Sequence, residues 1–177
     1  TYMMGVSNVD KDLLFTYYPN SPALSTAQPD IWTEDHNNFI AAVQGNIVNA
    51  PKKIWWAKLI PEFITPFIAK YLTSNSKTIK SPVIKLSNFI KEHGIQKVNL
   101  LKIDCEGEEI NVLKGISDVN WTIINNVVME VNDIDNNLEK AKKILSQNKF
   151  DNIQIQKETG FEKTKLTNLY ASKKSAN

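Results

Sequence analysis

The stretch Val98-Asn-Leu-Leu-Lys-Ile-Asp-Cys-Glu-Gly107 is followed twenty residues later by Val127-Val-Met-Glu-Val-Asn-Asp133. Both are runs rich in Val, Ile and Leu that stop abruptly at acidic residues, which is typical of strands buried on both faces of a parallel sheet. The carboxyl ends of such strands share one edge, where ligands bind in open α/β sheets. The sequence therefore predicts a site at this edge, formed by four acidic residues: Asp104, Glu106, Glu130 and Asp133.

From residue 98 onward, the hydrophobic periodicity predicts the order strand, helix, strand, helix, strand, strand. Such an order indicates an α/β fold with a mostly parallel sheet that ends in an antiparallel hairpin. The predicted strands span 98–103, 127–131, 153–156 and 167–171, and the predicted helices span 108–114 and 137–148.

The first hundred residues give weaker signals. Short strands are predicted at 2–7 and 13–18 and helices at 34–44 and 88–93, the second capped by Ser87, while the polar residues 74–80 resemble a linker. Residues 50–80 form a helical insert, whose aromatic part, 52–72, is kinked by prolines. This insert could pack on the core, cover a substrate as a lid, bind a partner, or anchor to a membrane surface. Only four lysines on its polar face argue against the membrane.

Composition excludes several functional classes. The formal charge of +2, with 23% charged residues, predicts no binding to nucleic acid. The one cysteine, Cys105, excludes an internal disulfide and favours a reducing compartment. No apolar run reaches the ~18 residues of a membrane span. Neither His36 nor His93 has a second ligand at zinc spacing, so no metal site is predicted. The sequence predicts a soluble, cytoplasmic protein.

Each candidate site residue also has a purely structural interpretation. Glu108 and Glu109 are expected to stabilise a helix N-terminus, an effect worth ~0.3–1 kcal/mol. Glu130 lies inside an apolar run, where its charge could be compensated by an ion pair with Lys102. Asp133 could simply begin a turn. Cys105 lies at a helix start but has no histidine near it in sequence, so a small buried residue is expected rather than a nucleophile.

Several segments together resemble the FkbM family of S-adenosylmethionine-dependent methyltransferases, in particular the branch found in polyketide synthases and nonribosomal peptide synthetases. The central block is Leu100-Leu-Lys-Ile-Asp-Cys-Glu-Gly-Glu-Glu109, and the resemblance extends over nearly the whole chain in order. It implies a Rossmann-like class I methyltransferase sheet in a single domain, 1–177, with S-adenosylmethionine as cofactor. The other segments are 17–25, 86–95, 112–116, Trp121, 127–133 and 168–171.

The resemblance also implies roles for individual residues. The expected reaction is O-methylation of a hydroxyl on a small-molecule intermediate of polyketide or peptide type. The expected partners are an acyl or peptidyl carrier protein and neighbouring synthase domains, with no nucleic acid and no membrane. The expected cofactor-binding residues are Ser7, Asn8 and Asp104, with the first two near the adenine. The expected catalytic residues are Asp104, Glu106, Glu130 and Asn132.

Two departures from the family pattern qualify this expectation. The chain begins at what resembles the third strand of the family's sheet, so the first strands and their acidic, glycine-rich cofactor loop are expected to be missing. That favours an alternative, a non-catalytic methyltransferase-like fragment that serves as a structural or docking module. At position 132 this chain has Asn, where relatives in the synthase branch often have His. Asn can orient a hydroxyl but cannot take its proton.

Overall fold

Two sheets, not the single sheet predicted, form the β-structure of this mixed α/β protein. The computed structural model describes residues 1–33 and 35–174. Within them, seven strands are joined as β1–β3–β2 and β4–β5–β7–β6. The strands are β1 (Gly5–Ser7), β2 (Lys11–Tyr17), β3 (Lys77–Lys85), β4 (Leu101–Ile103), β5 (Asn126–Asn132), β6 (Asn152–Gln156) and β7 (Leu166–Ser172).

The first sheet contains a strand that the sequence did not predict. Residues 74–80 were expected to be a linker, but Lys77 begins β3, which pairs in parallel with β1 and antiparallel with β2. The exposed, lysine-rich first half of β3 has no apolar alternation to signal a strand. Its pairing depends on β2, which lies some sixty residues earlier in the chain. Contacts of that kind cannot be inferred from local sequence.

The second sheet is less parallel than predicted. Only β4 and β5 pair in parallel, whereas β5–β7 and β6–β7 are antiparallel. The predicted terminal hairpin is confirmed, and β7 lies between β5 and β6. The predicted strand 98–103 shortens to β4, because Val98 forms only an isolated bridge with Ile124.

Seven α-helices within the described residues connect these strands. The aromatic segment 52–72 is not one continuous helix, as expected. It forms two 3-10 turns, Lys52–Leu59 and Glu62–Ile64, that are separated at Pro61, and then one α-helix with Pro66 in its first turn. Ser87 is not an N-cap, because that helix already begins at Leu86. Glu34, the first residue of the predicted helix 34–44, lies outside the described residues. The helices are α1 (Asp30–Thr33), α2 (His36–Val48), α3 (Thr65–Leu72), α4 (Leu86–Glu92), α5 (Glu109–Lys114), α6 (Asp118–Ile123) and α7 (Asn137–Gln147).

Side chains alternate strictly along β5. Val127, Met129 and Val131 are fully buried in the main hydrophobic cluster, which also contains residues of α5, α7 and β7. Burying a side chain of this size contributes about 1.5–3 kcal/mol, so this face fixes the register of the strand. The intervening residues Val128 and Glu130 point to the opposite face and are half-buried. That opposite face is where the candidate site lies.

A second, smaller cluster surrounds α2 and includes Trp32, Phe39, Val43 and Ile47. The spacing of the last three residues along the helix follows the 3.6-residue period of an amphipathic helix. Among the residues described, no helix is both long enough and apolar enough to cross a membrane.

Candidate active site

The parallel pairing of β4 and β5 brings two of the predicted acidic residues to the same level. Ile103 lies opposite Met129, and continuing this register places Asp104 level with Glu130. On the other side of β5, Glu130 lies opposite Asn168 of β7. The sheet thus presents two carboxylates and an amide side by side. The sequence predicted that Asp104 and Glu130 would meet at this edge.

These residues form one end of a cavity of about 560 Å³. The remaining wall is mostly apolar and comes largely from the α2 cluster and the 52–72 segment. Four carboxylates contribute to the lining: Asp104, Glu106, Glu130 and Glu158. The apolar lining includes Leu24, Trp32, Phe39, Val43, Ile47, Ile54, Ile68, Leu72, Phe161 and Leu166. A molecule with an apolar body and a polar end would match this lining.

Asp104 forms an ion pair with Lys102, whose Nζ lies 2.6 Å from its Oδ2. Lys102 therefore pairs directly with Asp104 and not with Glu130, although its positive charge still acts to lower the pKa of Glu130. Both side chains of this pair are at least half exposed, so it contributes little to stability. The pKa of Glu130 is raised, first by burial and then by the negative charges of Asp104 and Glu158.

Glu106 is the one described residue that lines both this cavity and a smaller one of about 140 Å³ beside β1, β2 and β3. Burial raises the pKa of its carboxyl to about 8, and the negative charges of Glu130, Glu109 and Asp104 act in the same direction. At neutral pH most Glu106 side chains are therefore protonated. Such a carboxyl can donate a hydrogen bond at pH 7 and accept a proton near pH 8.

Glu108 and Glu109 lie at the N-terminus of α5, as expected, and both are also buried. Glu108 accepts hydrogen bonds from Ser7 Oγ (2.8 Å), Gln28 Nε2 (2.9 Å) and Asn111 Nδ2. The carboxylate of Glu109 accepts one from the Gly107 backbone N–H at 3.0 Å. Burial raises the pKa of Glu109 to about 7. The dense acidic run 104–109 was visible in the sequence, but its burial depends on tertiary packing.

The loop before α1 holds the acidic segment in place. Thr26 Oγ1 donates to the carbonyl of Glu106, and Gln28 Nε2 binds the Glu108 carboxylate. Between these contacts, Gly107 adopts φ +94°, a conformation that strains any residue with a side chain. The exit from β4 is thus shaped by a glycine and by hydrogen bonds to a segment eighty residues earlier.

The remaining predicted residues do not line the main cavity. Ser7 is 1% exposed and donates a hydrogen bond to Glu108, and the half-buried Asn8 follows it after the end of β1. Asn132 is buried, and its Oδ1 accepts a hydrogen bond from Asn38 Nδ2 at 3.4 Å. Its own Nδ2 has no hydrogen-bond partner among the described residues. Asp133 accepts from the backbone N–H of Leu138 at 2.9 Å, as its interpretation as a turn residue predicted.

Two further side-chain types bear on the chemistry. Cys105 lines the smaller cavity, and burial raises the pKa of its thiol to about 11, so at neutral pH it lacks the thiolate that a nucleophile needs. Within 1–33 and 35–174, no group of three or more His, Cys, Asp or Glu side chains is arranged to hold a metal ion.

Glu158 is a cavity residue that the sequence analysis did not predict. It lies on the β6–β7 connection, and its carboxylate accepts a hydrogen bond from Asn168 Nδ2 at 3.0 Å.

Comparison with known proteins places the chain among methyltransferases. Residues 32–161 match the sequence profile of the family described as Methyltransferase FkbM domain. This range contains the whole acidic segment, β5 and the helices that line the cavity. No solved structure matches the chain significantly.

Two individual relatives are themselves named as methyltransferases. The chain is 31% identical over 150 residues to Methyltransferase 1 of Beauveria bassiana, which covers 84% of this chain and 51% of the relative. It is 33% identical over 130 residues to 31-O-demethyl-FK506 methyltransferase FkbM of Streptomyces tacrolimicus, covering 73% and 45%. A weaker match, 25% identical, covers 73% of this chain and 6% of the AMB antimetabolite synthetase AmbE of Pseudomonas aeruginosa. The chain therefore spans about half the length of the first two relatives.

Proposed function

Because this chain belongs to the FkbM methyltransferase family, we propose that it acts as part of an S-adenosylmethionine-dependent O-methyltransferase. The acceptor is a hydroxyl group on a small molecule with a largely apolar body. The observation that carries this proposal is the apolar cavity of about 560 Å³ with carboxylates at one end. The four-stranded sheet would be the C-terminal portion of a Rossmann-like methyltransferase sheet, with β4 and β5 as its parallel strands.

The acidic end of the cavity fits the chemistry of this cofactor. S-adenosylmethionine supplies an electrophilic methyl group on a positively charged sulfur when it is bound. The carboxylates at this end attract a nearby cation, the buried ones more strongly than the half-exposed Asp104. Asp104 would face that positive charge. Two residues, Ser7 and Asn8, were expected near the adenine. Ser7 is buried and hydrogen bonded to Glu108, so Asn8 would be the one that approaches the adenine.

The same carboxylates can act on the acceptor. A hydroxyl at the polar end of the cavity would lie among Glu106, Glu130 and Asn168. Glu106 would accept its proton, since a carboxyl with a pKa of about 8 is a stronger base than an ordinary glutamate. Glu130 would hold the hydroxyl in line for the displacement, and alignment of this kind is a major part of catalysis. Asn132, which does not line the cavity, would support the site through its hydrogen bond with Asn38 of α2.

The names of two relatives support a proposal for the class of acceptor. One of them is named as a methyltransferase for 31-O-demethyl-FK506, and another as an antimetabolite synthetase. We infer by analogy an acceptor of polyketide or peptide type for this chain. From the same analogy we propose delivery by an acyl or peptidyl carrier protein and contact with neighbouring synthase domains. From composition we propose a cytoplasmic location.

Calorimetric titration of the 177-residue chain with S-adenosylmethionine tests the proposal. We expect saturable binding that Asp104→Asn weakens about 10- to 100-fold, the range for losing a hydrogen bond or contact to a charged group. The same variant should lose less affinity for S-adenosylhomocysteine, which lacks the sulfonium charge. The exposed Asp151 provides a matched control, Asp151→Asn. If the chain binds neither ligand, the function proposed for this chain is contradicted. If Asp104→Asn weakens both ligands equally, the assigned role of Asp104 is wrong.

A further inference from the structure

The segment 52–72 exposes an unusual number of large apolar side chains. Seven of them are between 42% and 74% exposed, whereas the small residues Ala57, Thr65 and Ala69 of the same segment are buried. Six of these seven do not line the cavity, and we call them the aromatic face: Trp55, Trp56, Leu59, Phe63, Phe67 and Tyr71. Soluble monomers rarely expose a contiguous apolar patch of this kind unless it binds something.

The aromatic face points away from the cavity. The segment contributes Ile54, Ala57, Ile68 and Leu72 to the cavity wall, whereas neither tryptophan nor either phenylalanine of the segment lines it. The bulky rings therefore do not act as a lid over a bound ligand in this arrangement. They are available to a surface outside the molecule.

The formal charge of the segment 52–72 indicates which kinds of surface could bind the aromatic face. The 21 residues from 52 to 72 contain four lysines, all exposed, and one acidic residue, Glu62, which gives a formal charge of +3. The whole chain carries +2, so the other 156 residues together are slightly negative. A second copy of the chain would bring one positive face against another and is disfavoured. The lysines of this segment are Lys52, Lys53, Lys58 and Lys70.

We propose that the aromatic face docks onto an anionic lipid surface. Tryptophan, tyrosine and phenylalanine side chains insert at the boundary between head groups and acyl chains, and adjacent lysines bind anionic head groups. The sequence-based prediction of no membrane contact was argued from the number of lysines alone. It could not include the exposure of the aromatic face, which the structure shows.

Docking on this face would have a consequence for substrate access. The cavity wall and the aromatic face are opposite sides of one short segment, so the docked protein would hold its cavity next to the lipid. An amphipathic acceptor dissolved in that lipid would then reach the cavity without crossing bulk water. Lipid binding itself does not depend on methyl transfer, so the two proposals can fail separately.

Intrinsic fluorescence provides a direct test with phospholipid vesicles. The chain has four tryptophans, of which Trp32 and Trp121 are buried while Trp55 and Trp56 are exposed. A blue shift on binding would therefore come from the aromatic face. We expect this shift, and co-sedimentation, with vesicles of phosphatidylcholine and phosphatidylglycerol but much less with phosphatidylcholine alone. No cofactor or acceptor is needed.

Two sets of variants separate charge from insertion. Replacing Lys52 and Lys53 by Gln should weaken binding to the anionic vesicles about 30-fold, since each lysine near an anionic surface contributes ~1 kcal/mol. The control replaces the exposed Lys11 and Lys97 by Gln and should bind as the unmodified chain does.

The second set replaces Phe63 and Phe67 by Ser and should abolish the blue shift. Its control is Val119→Ser, another strongly exposed apolar residue, and thermal unfolding of every variant verifies that it folds. The proposal would be overturned if the chain bound both kinds of vesicle equally, if it bound neither, or if the control variants lost as much binding as the test variants. If it bound neither, a protein partner would remain as the occupant of the aromatic face.

Discussion

At the scale of single residues, Glu106 and Glu109 are three positions apart and both have a raised pKa, yet their surroundings differ. Glu106 lines both cavities, whereas Glu109 lines neither and accepts a hydrogen bond from Gly107. Burial is the first cause of the raised pKa in each case. Only Glu106 is therefore placed to exchange a proton with a ligand, and Glu109 shapes the loop around it.

The proposed role of Glu106 as a base predicts a specific pH dependence. Its charged form predominates only above a pKa of about 8, so kcat/KM for methyl transfer should rise about tenfold per pH unit below that value and level off above it. Glu106→Gln should lower kcat/KM by about 100-fold or more and remove this rise. Initial rates measured between pH 6 and pH 9 with radiolabelled S-adenosylmethionine provide the test.

Glu109→Gln is the matched control, because glutamine keeps the oxygen that accepts the Gly107 N–H. This variant should retain the rise in rate toward pH 8. Carbon NMR of glutamate-labelled protein should show a carboxyl titrating near pH 8 that disappears only in Glu106→Gln. A rise in rate that persists without Glu106 would show that another group is the base.

The sequence predicted Asp104 and Glu130 at the cavity end because they lie at or near the carboxyl ends of buried strands. Asp104 and Glu130 meet through the β4–β5 register, and register follows from the hydrophobic pattern. Glu158 could not be found in this way, since it lies on a connection whose path depends on the β6–β7 pairing. Asn132 follows Val131 and therefore lies on the same face of β5 as Glu130, but its side chain is buried against Asn38 of α2 and does not line the cavity.

At the scale of elements, one side chain of α2 ties the helix to the second sheet. Asn38 is buried, accepts a hydrogen bond from the backbone N–H of Lys165 at 2.6 Å and donates one to Asn132. The helix that forms the cavity wall is thus fixed to the strands that carry the carboxylates. Local sequence predicted the helix itself but not this attachment, which joins residues 127 positions apart.

Removing this attachment should be costly. Asn38→Ala would leave the Lys165 N–H without its buried acceptor, which should lower the free energy of unfolding by about 1–3 kcal/mol. The adjacent Asn37 is exposed, so Asn37→Ala should change stability by less than about 0.5 kcal/mol. Urea denaturation of both variants distinguishes these outcomes. Equal stability of the two variants would mean that the Asn38 hydrogen bonds do not fix the helix.

At the scale of the whole molecule, the cavity lies between two hydrophobic clusters. Trp32, Phe39, Val43 and Ile47 of the smaller cluster form much of its apolar wall, while its acidic end belongs to the strands of the larger cluster. Two clusters that pack separately leave a gap that a single continuous core would fill. The sequence could not predict this gap, because hydrophobic periodicity identifies buried faces without showing which faces oppose each other.

If this gap is the acceptor site, filling it should block binding while leaving the fold intact. Ala42 and Ala41 are neighbours on α2, but only Ala42 lines the cavity. Ala42→Phe should weaken binding of the uncharged fluorescent probe N-phenylnaphthylamine by at least about tenfold, because one ring occupies the space that the probe needs. Ala41→Phe should leave the affinity unchanged, and thermal unfolding of both proteins verifies that each remains folded. Probe binding that survives Ala42→Phe in a folded protein would place the apolar ligand elsewhere, and the acceptor would then have to reach the carboxylates from outside this cavity.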